Sequence, residues 1–377
     1  MKPLSTSALL ALLLITTSCG NNQTIHTGQP IGPFLFTVGQ ASDNLFTFSG
    51  SNSGAISPLA TASTGHAPSA VALLALSTFQ MNLFVTDSAS NNVTVLSLNP
   101  QTGQATPAGI TAATGTNPMG LALRQPSGTG TPDFGAVYVL NQGSNTISAF
   151  NITDTAGHLA EVLGSPFATT ASPQAITVAT FGTTVTNLTT FVYVANGALG
   201  TISGFKVNAD GSLTQVPGSP FPAGANIASL VGRPAGNFLL ASDAGNNKVA
   251  GFTIQSNGAL TPFAAAPVAA GTQPGAIMFA TNDFVYVANR GSGNVSAYKF
   301  DFASNSLTPI AGSPFTAGTT PVALGSTRST QLYVANQGSS DVTAFNMDFN
   351  TGALTPVAGS PFHVSVAPSA METLFVK

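Results

Sequence analysis

Side chains able to do chemistry are scarce in this 377-residue chain: four His, one Cys, nine Lys and Arg, twelve Asp and Glu. The pair best suited to catalysis is His66 with Asp87, which fall at the same end of two successive apolar runs. An imidazole oriented by a carboxylate can act as general base on a water that attacks a carbonyl carbon. Arg290 could then stabilise the oxyanion. The plainer reading makes His66 an exposed loop residue and Asp87 a turn-capping one.

A wider set is rich in amides. Asn117, Asn226 and Gln273 stand with His66 just before one class of apolar run. Asp87, Asn141, Asn196, Asp243, Asn289 and Asn336 end another class, with Asp43, Lys248, Arg290 and Asp341 in the adjoining turns. Together they describe a face suited to hydroxyl-bearing ligands such as sugars. Asn and Asp at such places also cap turns by bonding the backbone two residues on, and that reading competes at every repeat position. His26, His158 and His363 each lack a second His or Cys at ligand spacing, so no zinc, haem or copper site is expected. An oxygen-ligand calcium site would require Asp87 and Asp243 to meet. Neither a G-x-x-x-x-G-K-[ST] loop nor a G-x-S-x-G elbow between a strand and a helix occurs. No cofactor and no metal are therefore expected.

Composition narrows the partners. Only 6% of residues are charged, against roughly 25% in ordinary domains. The net charge is −3 with scattered cations, which excludes a nucleic-acid footprint. Apolar residues reach 43%, enough for a large core, and one Cys permits no internal disulfide.

The N-terminus reads as an export signal: Lys2, then an apolar run from Ala8 to Ile15, then small polar residues to position 18. That run is shorter than the ~20 residues a membrane span needs. The segment Thr16-Thr17-Ser18-Cys19-Gly20 resembles a bacterial lipobox, with Thr16 where Leu is usual. The resemblance implies lipidation at Cys19, and Gly20 implies the outer membrane of a diderm cell. Residues 19–33 then form a lipidated Cys and polar tether, and residues 34–377 one domain.

The elements that must position the candidate residues repeat seven times. An apolar run ending in Asn or Asp, a Gly/Ser/Asn turn and a second alternating run recur at Phe36, Phe84, Tyr138, Tyr193, Leu240, Tyr286 and Tyr333. The clearest copies are YVLNQGSNTISAF, YVANGALGTISGF, YVANRGSGNVSAY and YVANQGSSDVTAF. A third run (GALTPF, NSLTPI, GALTPV), a G-S-P-F element, and a fourth run opening with small residues complete each unit. Four period-two strands per unit, seven times over, predict an all-β seven-bladed β-propeller with four-stranded antiparallel blades. Pro58, Pro107, Pro262, Pro309 and Pro356 assign the third run to the outer edge, because proline cannot donate to a ladder. The small residues assign the fourth run to the central channel. The chain starts without an innermost strand and ends with a spare one (residues 368–376), so the C-terminal strand should close the ring against the N-terminal blade. Insertions at 125–135 and 181–190 fall between innermost and second strands, on the face away from the candidate residues.

The repeats resemble the YVTN-type repeat of extracytoplasmic propellers. Over residues 34–376 the chain is similar to the seven-bladed lactonase family, which includes 6-phosphogluconolactonase-like and carboxymuconate-cyclase-like proteins. Enzymes of that family tend to carry a P-R-H-type phrase at an innermost strand. Here those places read APSA, NPMG, SPQA, NIAS, QPGA, TPVA and APSA, with no Arg-His pair. The function expected is accordingly an exported, lipid-anchored binding or scaffolding module of the cell envelope. Its partner would be a small molecule, glycan or envelope protein, and the chain a monomer. The alternative is a lactonase-like hydrolase that opens a sugar or aliphatic lactone with His66, Asp87 and Arg290.

Overall fold

The computed structural model describes residues 22–25, 33–76, 80–126, 133–182, 188–233, 236–265, 267–280, 283–327 and 330–376. The expected signal peptide, Cys19 and His26 lie outside the described residues. Seven antiparallel sheets stand around a central channel. They are numbered here as blades 1 to 7 from the N-terminus.

Blade 2 shows the unit: Pro68–Ala75 innermost, then Met81–Asp87, Asn92–Leu98 and the edge strand Ala105–Ala113. The two middle strands are buried on both faces, because each sheet is sandwiched between its neighbours. The edge strand alternates exposed and half-buried positions and carries Pro107, where no inter-strand donor is needed. In blades 3 to 7 the outer position divides into two short segments, both paired with the third strand. In blade 4 these are Leu213–Gln215 and Phe221–Pro222 on Thr201–Val207. The G-S-P-F phrase makes the jog between them in four blades, and returns its Phe to the inter-blade core.

The ring closes as the sequence predicts. Ala370–Val376 is the innermost strand of blade 1 and pairs antiparallel with Phe34–Val38. One addition falls inside residues 19–33, the segment expected as a polar tether. Asn22–Ile25 forms a strand that pairs in parallel with Thr373–Val376, on the channel side of the sheet.

Blades are joined by recurring side-chain bonds as well as apolar packing. The Tyr of the repeat phrase is fully buried in four blades, and in three of them it donates to a turn glycine carbonyl of the next blade, whereas the Tyr333 hydroxyl has no hydrogen-bond partner. The bonds run from Tyr138 to Gly211 (3.1 Å), Tyr193 to Gly258 (2.8 Å) and Tyr286 to Gly352 (2.7 Å). Those glycines sit at φ of +87°, +86° and +72°, a conformation side chains rarely adopt. Near the channel, Ser69 donates to Pro118 O and Ser369 to Pro68 O, linking blades 1, 2 and 3.

Candidate functional site

Innermost strands start at the face where the second strand turns into the third, since Pro68 pairs Asp87 and Asp87 pairs Asn92. This face carries every site residue expected from the sequence within the described residues, and it is called the upper face here. In blades 2 to 7 the register shifts at the first residues of the innermost strand. The displaced residues, Ser69, Met119, Gln174, Ala228, Gly275 and Val322, all line the channel mouth. A bulge frees one residue from the ladder and re-aims it, so the fold builds a ring of variable side chains there.

That ring encloses a cup of about 160 Å³. Its wall is Ala, Val, Leu, Ile and Met with three serines, and Gln174 stands at its rim. Arg290 is its one charged lining residue, and no lining residue is His, Asp, Glu or Cys. Arg290 reaches the cup because Gly275 lies beneath it. A Cβ on Gly275 would sit 3.0 Å from both Cγ and Cδ of the arginine. The backbone N–H of Arg290 also donates to Gln273 O (2.9 Å), which ties the arginine to the entrance of its own blade's inner strand. This arrangement was readable as a coincidence of Arg290 with the smallest residue at the bulge position, but only once the bulge was known.

His66 hydrogen-bonds Asp43 rather than Asp87, though it stands near enough to Asp87 to favour that carboxylate's charged form. Its Nδ1 shares a hydrogen bond with Asp43 Oδ2 at 2.8 Å, and the imidazole is 76% exposed. The hydrogen-bonding carboxylate comes from the neighbouring blade's turn and not, as expected, from the adjacent strand of the same blade. Asp87 is fully buried and accepts from Thr94 Oγ1 at 2.6 Å. Burial pushes its pKa up to about 6 against the opposing hydrogen bonds of Thr94 and the Gly65 backbone, with Asp43 adding repulsion. Its other oxygen, Oδ1, has no hydrogen-bond partner.

The repeated amides share this correction. Asn141, Asn196, Asn289 and Asn336 are fully buried, and Asp243 nearly so. They do not present a ligand face. Nor do the asparagines bond their own backbone two residues on. Each donates across the hairpin to the side chains five and seven residues later. Asn141 reaches Thr146 (3.0 Å) and Ser148 (2.9 Å), and Asn196 reaches Thr201 (3.0 Å) and Ser203 (2.9 Å). Asn289 reaches Asn294 and Ser296, and Asn336 reaches Asp341 and Thr343. Asp243, with Lys248 and Ala250 at those offsets, instead accepts from the backbones of Ala225, Asn226 and Asn246 and from the Asn246 side chain.

A glycine in the loop above seals most of these groups. A Cβ on Gly65, Gly115, Gly271 or Gly318 would stand 2.6–2.8 Å from the buried Asp87, Asn141, Asn289 or Asn336. Of the expected amide face, Asn226 and Gln273 are exposed and Asn117 is half-buried. Asn117 and Gln273 adopt positive φ, +52° each, to turn the chain into the inner strand. No group of three or more His, Cys, Asp or Glu that could hold a metal ion occurs among the described residues.

The model of the family "Lactonase, 7-bladed beta-propeller" matches residues 26–178, 85–279, 131–323 and 266–368. No curated protein matches the chain. Among solved structures, a putative 6-phosphogluconolactonase from Bacteroides fragilis is 19% identical, with 92% of this chain and 99% of that one covered and a TM-score of 0.73. The periplasmic gluconolactonase PpgL of Pseudomonas aeruginosa is 17% identical, with 92% and 99% covered and a TM-score of 0.72. A Lactobacillus plantarum protein is 17% identical, with 91% and 99% covered and a TM-score of 0.70. At these identities the likeness is one of fold.

Proposed function

Since the chain belongs to the seven-bladed β-propeller lactonase family, and a shared propeller does not dictate one activity, we propose from its own channel mouth that it is a cell-envelope binding module for a small organic anion. The observation that carries this is the lining of the cup, apolar and small-residued with Arg290 as its single charge. A guanidinium at the rim of an apolar cup binds a carboxylate through charge-assisted, bidentate hydrogen bonds. The cup's 160 Å³ is close to the ~150 Å³ of a cavity that holds benzene. The ligand is therefore a carboxylate on a compact body, with Gln174 and the exposed Asn226 and Gln273 offered to any hydroxyls at the rim. The export signal read in residues 1–18 supports an extracytoplasmic location, as does the periplasmic fold neighbour.

Calorimetry with benzoate and gluconate tests the reading. Binding weakened 10- to 100-fold by Arg290→Ala is expected, the range of a hydrogen bond to a charged group. Equal binding by the variant, or no heat with either acid, would sink it.

A second reading is favoured by the His66–Asp43 hydrogen bond. Asp43 holds Nδ1, leaving Nε2 to act as base on a water attacking a lactone carbonyl. Arg290 belongs to blade 6, while His66 links blades 1 and 2, and Asp87 is sealed beneath. Acid release from a panel of sugar and aliphatic lactones decides between the readings. Turnover abolished by His66→Ala would establish the hydrolase and its base. Turnover retained in that variant would place the chemistry elsewhere.

A further inference from the structure

The two insertions in the sequence lead to one place. On the lower face, opposite the cup, a cleft of about 720 Å³ opens between blades 3 and 4. Residues 133–135 of the first insertion and 188–190 of the second line it, beside the lower ends of the third strands Thr146–Ile152 and Thr201–Val207. Its volume exceeds four times that of the cup and lies in the ~300–1,000 Å³ range of small-molecule sites.

Three charged side chains line this cleft: Arg124, Asp133 and Lys206. Arg124 and Asp133 neutralise each other through bonds of 2.7 and 2.8 Å. Lys206 is exposed and has no ion pair among the described residues. Blade 6 supplies the contrast. Lys299 holds the same place there, paired with Phe284 as Lys206 is paired with Phe191. The residue before Phe284 is Asp283, whose Oδ2 stands 3.9 Å from Lys299 Nζ. The residue before Phe191 is Thr190. At the cleft, therefore, a hydroxyl stands where the equivalent lysine of blade 6 has its acid.

We propose that this cleft binds an acidic oligosaccharide, with Lys206 on a carboxylate and the surrounding hydroxyls and amide oxygens on the sugar hydroxyls. Thr189 and Thr190 are half-buried in its wall, and their hydroxyls have no hydrogen-bond partner among the described residues. Asn151 Nδ2 donates to Asp210 O, and Asn208 Nδ2 to the Ser212 and Thr214 hydroxyls, which leaves Oδ1 of each as an acceptor. Sugar hydroxyls both donate and accept, so such a lining matches them. An ammonium carries three donors on a flexible stem and serves one carboxylate among those hydroxyls. An extended acidic peptide fits less well, because peptides of that kind add to a free strand edge. The second and third strands of blade 4 are each paired on both sides. The inference is independent of the cup and its ligand.

Calorimetry with trigalacturonate, maltotriose and triglutamate tests it. The full chain carries Arg290→Ala throughout, so that the charge of the cup does not contribute. Trigalacturonate should bind, with maltotriose and triglutamate weaker by at least about tenfold, the lower end of what a bond to a charged group contributes. Lys206→Ala should weaken trigalacturonate by the same factor. Thr190→Asp, which copies blade 6, should do so with the lysine still in place. Neither position is fully buried, and unchanged thermal melts confirm that the variants fold. No heat with trigalacturonate, equal binding of maltotriose or triglutamate, or undiminished binding by either variant would overturn the site.

Discussion

At the scale of single residues, Asp87 shows what the repeat position demands and what it refuses. Four blades place Asn there and two place Asp, all of them buried. An amide donates to hydroxyls on the third strand without carrying charge, whereas Asp87 keeps an unbonded Oδ1 and a pKa raised to about 6 by burial. The unfolded chain loses this proton near pH 4 and the folded chain near pH 6. Between those values the unfolded state binds fewer protons, so stability falls as pH rises from about 4 to about 6 and stays lower above. A shift from 3.8 to about 6 corresponds to about 3 kcal/mol. Asp87→Asn should therefore stabilise the protein at pH 7.5 by 1–3 kcal/mol (order of magnitude) and flatten this part of the pH profile. Melts from pH 4 to pH 8 check it, and a variant that melts lower than the parent at pH 7.5 would refute the account. The position was legible in the sequence because it repeats. Its partners were not, since a bond to residues five and seven later exists only once the hairpin register is set. The same limit explains the misassigned acid: His66 meets Asp43 through a contact between blades, which no local spacing encodes.

At the scale of the element, each blade's loop, second strand and third strand form one locked unit. Gly271 has no positive φ, so a side chain there is opposed by space alone. Its Cβ would stand 2.5 Å from Ser292 Oγ and 2.6 Å from Asn289 Cγ, and its N–H donates to Asn289 Oδ1 at 3.1 Å. Gly271→Ala should cost about 1–3 kcal/mol, the range for overpacking a filled site, read as a lower midpoint in chemical denaturation. The double variant Gly271→Ala with Asn289→Ala should lose less than the two single changes added together, because the amide's share of the collision goes and only the Ser292 hydroxyl, a smaller group, still opposes the new methyl. Strict additivity would mean that the amide takes no part in the collision. Tyr193→Phe tests the joint between blades. It leaves the buried Gly258 carbonyl without its donor and should cost about 1–3 kcal/mol. Strand identity and order were legible here because period-two alternation, edge prolines and small inner residues are local. The divided outer strand and the bulges at the mouth were not.

At the scale of the whole molecule, a chain with 6% charged residues must hold its ring by apolar burial and hydrogen bonds. Among the described residues the ion pairs His66–Asp43, His158–Asp154 and the Arg233–Asp283–Lys299 group are substantially exposed, and Arg124–Asp133 is about one-fifth exposed. Such pairs contribute little. Cohesion instead depends on closure, because a ring with one strand missing exposes an edge and unpacks the faces beside it. Removing residues 368–377 deletes Ala370–Val376 and leaves Phe34–Val38 with no inner partner. It also removes Met371 and Leu374, which are buried in the cores on either side of blade 1, and the Thr373 bond to Ser326 in blade 7. The loss reaches both neighbours at once, so the truncated protein should melt well below the parent and lose cooperativity. A deletion of Lys377 alone should leave the melt unchanged. If circular dichroism melts of the 368–377 deletion matched the parent, the seam would be dispensable, and the six complete blades would have to hold their curvature without it.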